Sequence, residues 1–385
     1  MRWIDTESEA PIIPAESDMR IGIDARIAQY SRGGIRSYVI HLLEALAELD
    51  GDGDYRVLYS RRRETPPIDT GFRPVGCWTP SHHALERWAL GMEIARLRLD
   101  VLHSPDFIPP AFGYGRSVIT VHDLNFLYYP RFLTAESRRY YNEQIAWAVE
   151  RADHILADSY ATRSDLVSLL DVPPEMITVI HLAADASFEP SSKDTARQTA
   201  MRYGVDPGFL LFVGTLEPRK NVPGLLLAYR ILLDRAATDK PLVLVGGKGW
   251  LYEEIFERTK VLKLTDHVHF RHEVPSADLP ALYTAASVLA MPSFYEGFGL
   301  PALEAMSCGT PVVVANRSSL PEVVGEAGLL VDPDSPEEIA EMLDRALNDA
   351  TLREGLREAG LRRAKAFSWE RVARETRAIY ESLLN

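Results

Sequence analysis

Glu296 and Glu304 bracket the stretch EGFGLPALE, which joins two carboxylates to two glycines and a proline. Pro301 suits the first helical position, where its missing N–H costs nothing. Gly309 suits a helix C-terminus just ahead of Thr310-Pro311. The pattern predicts a short helix over about 300–308, following a strand that ends near Ser293. The backbone amides of Gly297, Phe298, Gly299 and Leu300 then form an anion site reinforced by the helix dipole. Carboxylates repel phosphate, so the two glutamates are suited to accept hydrogen bonds from hydroxyls beside it. A diphosphate with a sugar on each side meets both demands. The competing reading is a plain strand–loop–helix turn with two exposed glutamates.

Other segments offer complementary chemistry. VGTLEPRKN (213–221) places Arg219 and Lys220 just before a helix, where cations can meet phosphate oxygens. SRGGIRSY (31–38) sets Gly33 and Gly34 before the first helix, either as an amide-lined loop or as a simple turn. VITVHDLNFL (118–127) puts His122 and Asp123 just beyond a buried strand, and VGGKG (245–249) is a further strand-end glycine loop containing Gly246. Lys248 in that loop is as consistent with solvent exposure as with ligand contact. The remaining histidines show no metal-ligand spacing. Neither a G-x-x-x-x-G-K-[ST] loop nor a G-x-G-x-x-G with a following acid occurs, which argues against kinase and dehydrogenase chemistry.

The elements that would position these residues alternate. Apolar strand-like runs at 19–27, 55–60, 100–105, 117–123 and 154–159 interleave with helical patterns at 33–49, 84–98 and 135–152. Ile35, Val39, Leu42, Leu43 and Leu46 keep the helical period. After a polar break at 184–198, the expected linker, the cycle restarts with strands at 208–216, 241–250, 267–274, 286–293 and 310–315 and helices at 222–236 and 335–349. Such alternation predicts parallel sheets covered on both faces. The expected architecture is α/β: an acidic tail (1–18), a Rossmann-like domain (19–190), a second one (191–368), and a helix (369–385) able to return to the first, with a cleft between the halves.

Length and composition agree. The chain has 385 residues, enough for two cores, with 46% hydrophobic and 25% charged residues. A net charge of −13 argues against general nucleic-acid binding. Two cysteines, Cys77 and Cys308, suit a reducing cytoplasm. The N-terminus lacks the apolar core of a signal peptide, and no run of apolar residues is long enough to span a bilayer. Peripheral contact with the inner membrane face stays open: Arg61, Arg62, Arg63, Arg96, Arg98, Arg138 and Arg139 face either anionic lipid or solvent.

The segment MPSFYEGFGLPALEAMSCGTPVVVANRSSLPEVVGEAGLLVDP (291–333) resembles the E-x7-E signature region of the retaining glycosyltransferases of family 4, which have the GT-B fold. The resemblance runs through most of 19–380 and is strongest over 208–333. It implies that Glu296 contacts hydroxyls of a donor sugar and Glu304 the ribose. It also implies that Lys220, with Arg219, steadies a departing nucleoside diphosphate. Relatives often carry an arginine directly after the glycine where this chain has Thr215. Gly33 and Gly34 match a loop whose amides approach the diphosphate. His122 matches a histidine beside the sugar's primary hydroxyl, and Asp123 orients it or approaches the acceptor. The backbone around His272 to Val274 matches the nucleobase contact. GIDAR, VHDL and GTLEPRKN resemble bacterial mannosyltransferases, making GDP-mannose the expected donor and a UDP- or dTDP-hexose the alternative. The implied partners are this nucleotide-sugar co-substrate and a glycan or polyprenyl-linked acceptor; no cofactor and no metal are expected. Rival readings are a related GT-B isomerase or phosphorylase and a non-catalytic nucleotide-sugar-binding scaffold.

Overall fold

The structure, a computed structural model, describes residues 19–385 apart from 31–32, 64–67, 84, 131–134 and 250, and omits the side chains of 135–140. The expected tail (1–18), part of the SRGG loop and the side chains of Arg138 and Arg139 therefore lie outside the described residues.

Short apolar runs fold as buried parallel strands because each is covered on both faces. The first lobe holds β1 (Ile21–Asp24), α1 (Gly34–Leu49), β2 (Tyr55–Ser60), β3 (Arg73–Cys77), α2 (Glu86–Ile94), β4 (Leu99–Ser104), β5 (Tyr114–Val121), α3 (Asn125–Tyr128), α4 (Ala135–Arg151), β6 (His154–Ala157), α5 (Tyr160–Leu170) and β7 (Ile177–Val179). Its seven strands run in the order β3-β2-β1-β4-β5-β6-β7, with Ile21 of β1 opposite Tyr55 on one side and Val101 on the other.

The second lobe holds α6 (Lys193–Arg202), β8 (Leu210–Val213), α7 (Val222–Asp234), β9 (Leu242–Val245), α8 (Glu253–Val261), β10 (Val268–Arg271), α9 (Leu279–Ala285), β11 (Val288–Met291), α10 (Leu300–Ser307), β12 (Val312–Ala315), α11 (Leu320–Val324), β13 (Leu329–Val331), α12 (Pro336–Asn348) and α13 (Ala350–Ala364). Six strands run β10-β9-β8-β11-β12-β13. Strand order reverses between β1 and β4 and again between β8 and β11. The strand ends beside such reversals are where doubly wound sheets bind ligands.

α14 (Trp369–Ser382) leaves the second lobe and packs on α1. Val372, Ala373, Thr376 and Tyr380 are buried on that face, and the Tyr380 hydroxyl lies 2.7 Å from Nδ1 of buried His103.

The structure departs from the sequence reading between 184 and 198. α6 begins at Lys193, inside the expected linker, and the Ser192 side chain caps it by accepting from the Thr195 amide. A narrow buried face of Ala196, Thr199 and Ala200 suffices because the helix packs on α9. β3, β7 and β13 were also not anticipated, being short and only partly buried. Among the described residues, no helix is long and apolar enough to cross a membrane.

Candidate active site

Glu296 follows β11, and the turn Pro218–Lys220 follows β8, so neighbouring strands bring the two loops together. The Phe294 amide donates to the Arg219 carbonyl at 2.8 Å, joining them directly. Asn221, left-handed at φ 53°, ends the turn and caps α7 through its side chain. These constraints aim Lys220 inward. Its Nζ donates to both oxygens of Glu296, at 2.7 and 2.8 Å. Arg219 donates to the same carboxylate at 3.0 Å and to the Tyr295 carbonyl at 3.1 Å, while its Nε pairs with Glu217 at 2.6 Å.

Lys220 and Glu296 are both buried, so their charges act in a low-dielectric setting. Burial and adjacent Arg219 hold the Lys220 ammonium below its ordinary pKa despite Glu296. Burial pushes Glu296 upward, but Lys220 and Arg219 more than reverse this and keep it ionised. One carboxylate thus engages both cations.

The loop 296–299 is shaped by its glycines. Gly299 caps α10 at φ 108°, a conformation costly for other residues. A Cβ on Gly297 would sit 2.1 Å from the His122 carbonyl, so the two lobes touch here at backbone distance. Phe298 is buried, and Leu300 opens α10. Ser318 donates to the Glu296 carbonyl at 2.5 Å, and Ser319 Oγ lies 2.7 Å from the Phe298 carbonyl. Glu304, one turn into α10, accepts from the Tyr283 hydroxyl at 2.8 Å. Burial pushes its pKa up to about 7, with the tyrosine bond pulling the other way.

On the opposing lobe, His122 and Asp123 follow β5. Nδ1 of His122 lies 2.7 Å from Asp158 and Nε2 lies 2.9 Å from the Pro105 carbonyl. Burial alone would lower the imidazole's pKa; the Asp158 charge and hydrogen bond instead raise it to about 9, so the ring is cationic at neutral pH. With both nitrogens engaged, it ties together the chain leaving β4, β5 and β6. Asp123 accepts from the backbone and side-chain amides of Asn125. Gly33 precedes α1 with extended backbone and Gly34 is its first residue. Open space surrounds the position of a Gly34 Cβ.

Further round the second lobe, Gly246 at φ 150° comes so near Gly214 that a Cβ would lie 1.9 Å from that carbonyl. His272 Nδ1 lies 3.0 Å from the Gly246 carbonyl, and Val274 follows it in a partly buried loop. Thr215 is exposed at the end of β8. Lys248 is exposed too and sits 5.0 Å from the centre of the Tyr252 ring.

Several residues at this boundary had no place in the sequence reading. The Tyr295 hydroxyl donates to Asp165 at 2.5 Å and accepts from the Leu124 amide at 3.3 Å. Glu322 accepts from the Tyr160 and Ala161 amides at the start of α5, at 2.9 and 3.1 Å. These partners lie far apart in the chain and carry no local signal. Tyr295 and Glu322, like Glu217, Ser318 and Ser319, stand inside segments already singled out, but nothing local in those segments points to the partners they meet.

Comparison with known proteins accords with this geometry. Residues 201–363 match the family model described as glycosyl transferases group 1, and residues 32–188 match that of glycosyltransferase family 4. The chain is 37% identical over 284 residues to the O-antigen chain mannosyltransferase B of Escherichia coli, a match spanning 74% of each chain. Its fold is similar to that of sucrose-phosphate synthase from Thermosynechococcus elongatus, with TM-score 0.77 and 21% identity, covering 95% of this chain and 99% of that one. It is similar also to that of Anabaena HepE in complex with UDP and glucose, with TM-score 0.74 and 19% identity, covering 94% and 100%. Together, the two matched halves and the facing parallel sheets show that this chain belongs to the group 1, family 4 glycosyltransferases of GT-B fold.

Proposed function

We propose that the chain transfers mannose from GDP-mannose to a hydroxyl of a glycan or lipid-linked acceptor in bacterial polysaccharide biosynthesis. In this reading it retains the anomeric configuration, works without a metal, and acts in the cytoplasm. The observation carrying the reaction class is Glu296 held between Lys220 and Arg219 beside the N-terminus of α10. Mannose as the sugar rests on the likeness to the O-antigen mannosyltransferase.

The arriving diphosphate takes Lys220 and Arg219 from Glu296, and the amides of 297–300 receive its oxygens. The freed carboxylate then accepts hydrogen bonds from donor-sugar hydroxyls, while Glu304 accepts from ribose. As the bond from the anomeric carbon to the phosphate oxygen breaks, negative charge grows where these donors converge. One well-placed donor of this kind contributes about 3–4 kcal/mol. The acceptor oxygen attacks on the same face and passes its proton to the departing phosphate, so no protein nucleophile is needed. His122, cationic and fixed at both nitrogens, keeps the facing wall in place; reaching the donor directly would require it to release Pro105. The contact between Gly297 and the His122 carbonyl closes the cleft against water.

Thermal-shift measurements with GDP, UDP, ADP and dTDP test the donor, since a ligand bound to the native state raises Tm. GDP is expected to give the largest shift, followed by mannosyl product from GDP-mannose with its anomeric configuration read by NMR and its yield unchanged by a chelator. A larger shift with UDP or dTDP overturns the donor, and no shift with any of them overturns the nucleotide-sugar reading.

A further inference from the structure

Asp24 closes β1 and Ser104 closes β4, the two strands between which the order of the first sheet reverses. Both line a cavity of about 20 Å³, room for one hydroxyl-sized group. Two hydroxyls in its lining are buried without a partner: Oγ of Ser81 and Oγ of Ser104 meet no hydrogen-bonding group of the protein. Ser104 is only 2% exposed. A buried hydroxyl left unpaired is destabilising, so two of them in one strand-end pocket call for a partner from outside the chain. The pocket also adjoins the wall that meets the donor loop. Pro105 lines it and receives Nε2 of His122 on its carbonyl at 2.9 Å, and the backbone of His122 is what Gly297 touches.

The charged groups in the lining indicate what enters. Arg26 donates to the two oxygens of Asp24 at 2.8 and 2.6 Å, to Glu86 at 2.6 Å and to the Thr79 carbonyl at 2.8 Å. Its guanidinium is therefore turned into the lobe and 1% exposed. His82, held left-handed at φ 58°, places Nε2 2.5 Å from Oδ2 of Asp106 and donates its amide to Glu86 at 2.7 Å. Three carboxylates around two engaged cations repel phosphate rather than bind it. They suit a neutral hydroxyl. Asp24 and Glu86 use both oxygens in these bonds, whereas Asp106 engages His82 through Oδ2 alone. A hydroxyl that donates to Asp106 and accepts from Ser104 completes both.

We infer that this cavity seats one hydroxyl of a neutral sugar, the accepting residue of the glycan, and that Ser104 and Asp106 determine which hydroxyl pattern is accepted. Seating one hydroxyl fixes the ring from which another attacks. The inference rests on the glycan acceptor proposed above and narrows it: the residue that receives the transferred sugar is uncharged, and any phosphate of a lipid-linked acceptor lies outside this pocket.

The test is titration of the full chain with the methyl glycosides of mannose, glucose, galactose and N-acetylglucosamine, followed by saturation-transfer NMR with and without GDP. It needs no donor sugar and no turnover. At least one neutral glycoside is expected to bind, and inorganic phosphate should not displace it when GDP is present. Ser104→Ala should weaken that binding about fivefold to tenfold, and Asp106→Asn at least about tenfold. Among the monodeoxy analogues of the bound glycoside, the one lacking the seated hydroxyl should bind weakly to the native chain and lose nothing further in Ser104→Ala. The other analogues should lose as the parent does, a pattern that a merely structural serine would not give. The thermal shift with nucleoside diphosphate should persist in both variants and reports an intact fold. Absence of that shift from the native chain falls on the nucleotide-sugar reading, which the sugar titration does not use. Binding of none of the glycosides overturns the inference, as do displacement by phosphate, affinity indifferent to both substitutions, and an equal loss across the parent and every analogue.

Discussion

Glu296 has two successive partners in the proposed cycle, and its substitutions separate them. Glu296→Ala leaves buried Lys220 uncompensated, a change that costs about 3–5 kcal/mol, so lost activity would be mixed with lost stability. Glu296→Gln keeps the shape and is the better probe. It should lower kcat at least about 100-fold, while nucleoside diphosphate, no longer competing with a carboxylate for Lys220 and Arg219, binds at least as tightly as to the native protein. Lys220→Ala should lower kcat rather than raise KM in steady-state assays; an effect confined to KM contradicts the leaving-group role. Glu304 supplies a pH signature. Its folded pKa, about 7, lies above the ordinary carboxylate value, so its contribution to stability falls as pH rises from that value through about 7. Only the ionised form accepts from both ribose hydroxyls, so nucleotide affinity should strengthen over the upper part of that range. In Glu304→Gln the strengthening should shrink to the part due to the diphosphate's own ionisation, as calorimetric titration from pH 5.5 to 8.5 would show.

α10 is short because proline and glycine stop it at both ends, and that shortness keeps its amino end at the lobe boundary. Gly297→Ala would place a methyl 2.1 Å from the His122 carbonyl, which forces the lobes apart rather than distorting either sheet. Its expected result is a kcat lowered at least about tenfold with nucleotide affinity within a few-fold of native, because a misplacement of about 1 Å can cost as much as 100-fold. The helix and its glycine end were legible in the sequence, since Pro301 and Gly309 each impose a backbone requirement that a single residue type announces. The helix nevertheless starts one residue earlier than Pro301 suggested, at Leu300, behind a left-handed Gly299 that the sequence reading did not single out as its cap. The basic turn at 218–220 was legible for the same reason. That Lys220 and Glu296 would pair was not, because pairing depends on β8 and β11 being neighbours in the sheet. His122 shows the limit most clearly: its place after β5 could be read locally, but its clasp between Asp158 and Pro105 depends on two other strand ends. α6 escaped notice because its surface is polar and its packing on α9 needs only three small side chains.

At the scale of the molecule, the first lobe is completed by a helix from the far end of the described chain. Tyr380 is fully buried and sits against His103, and Arg377 lies 3.3 Å from Asp50. Tyr380→Ala should cost about 3–5 kcal/mol, as for other large buried rings. The loss should fall on the first lobe, read as faster amide exchange in α1 and β4 while β8 to β12 stay protected. This crossing also constrains biosynthesis. When a ribosome has made residues 19–179, every strand of the first sheet exists, yet the helix that covers α1 is still about 190 codons away. The second lobe can close over its own sheet earlier in relative terms, so the lobe translated first is the one finished last, and stalled nascent chains should show protease-sensitive α1 that becomes protected only on release or when a carboxy-terminal extension carries α14 out of the exit tunnel.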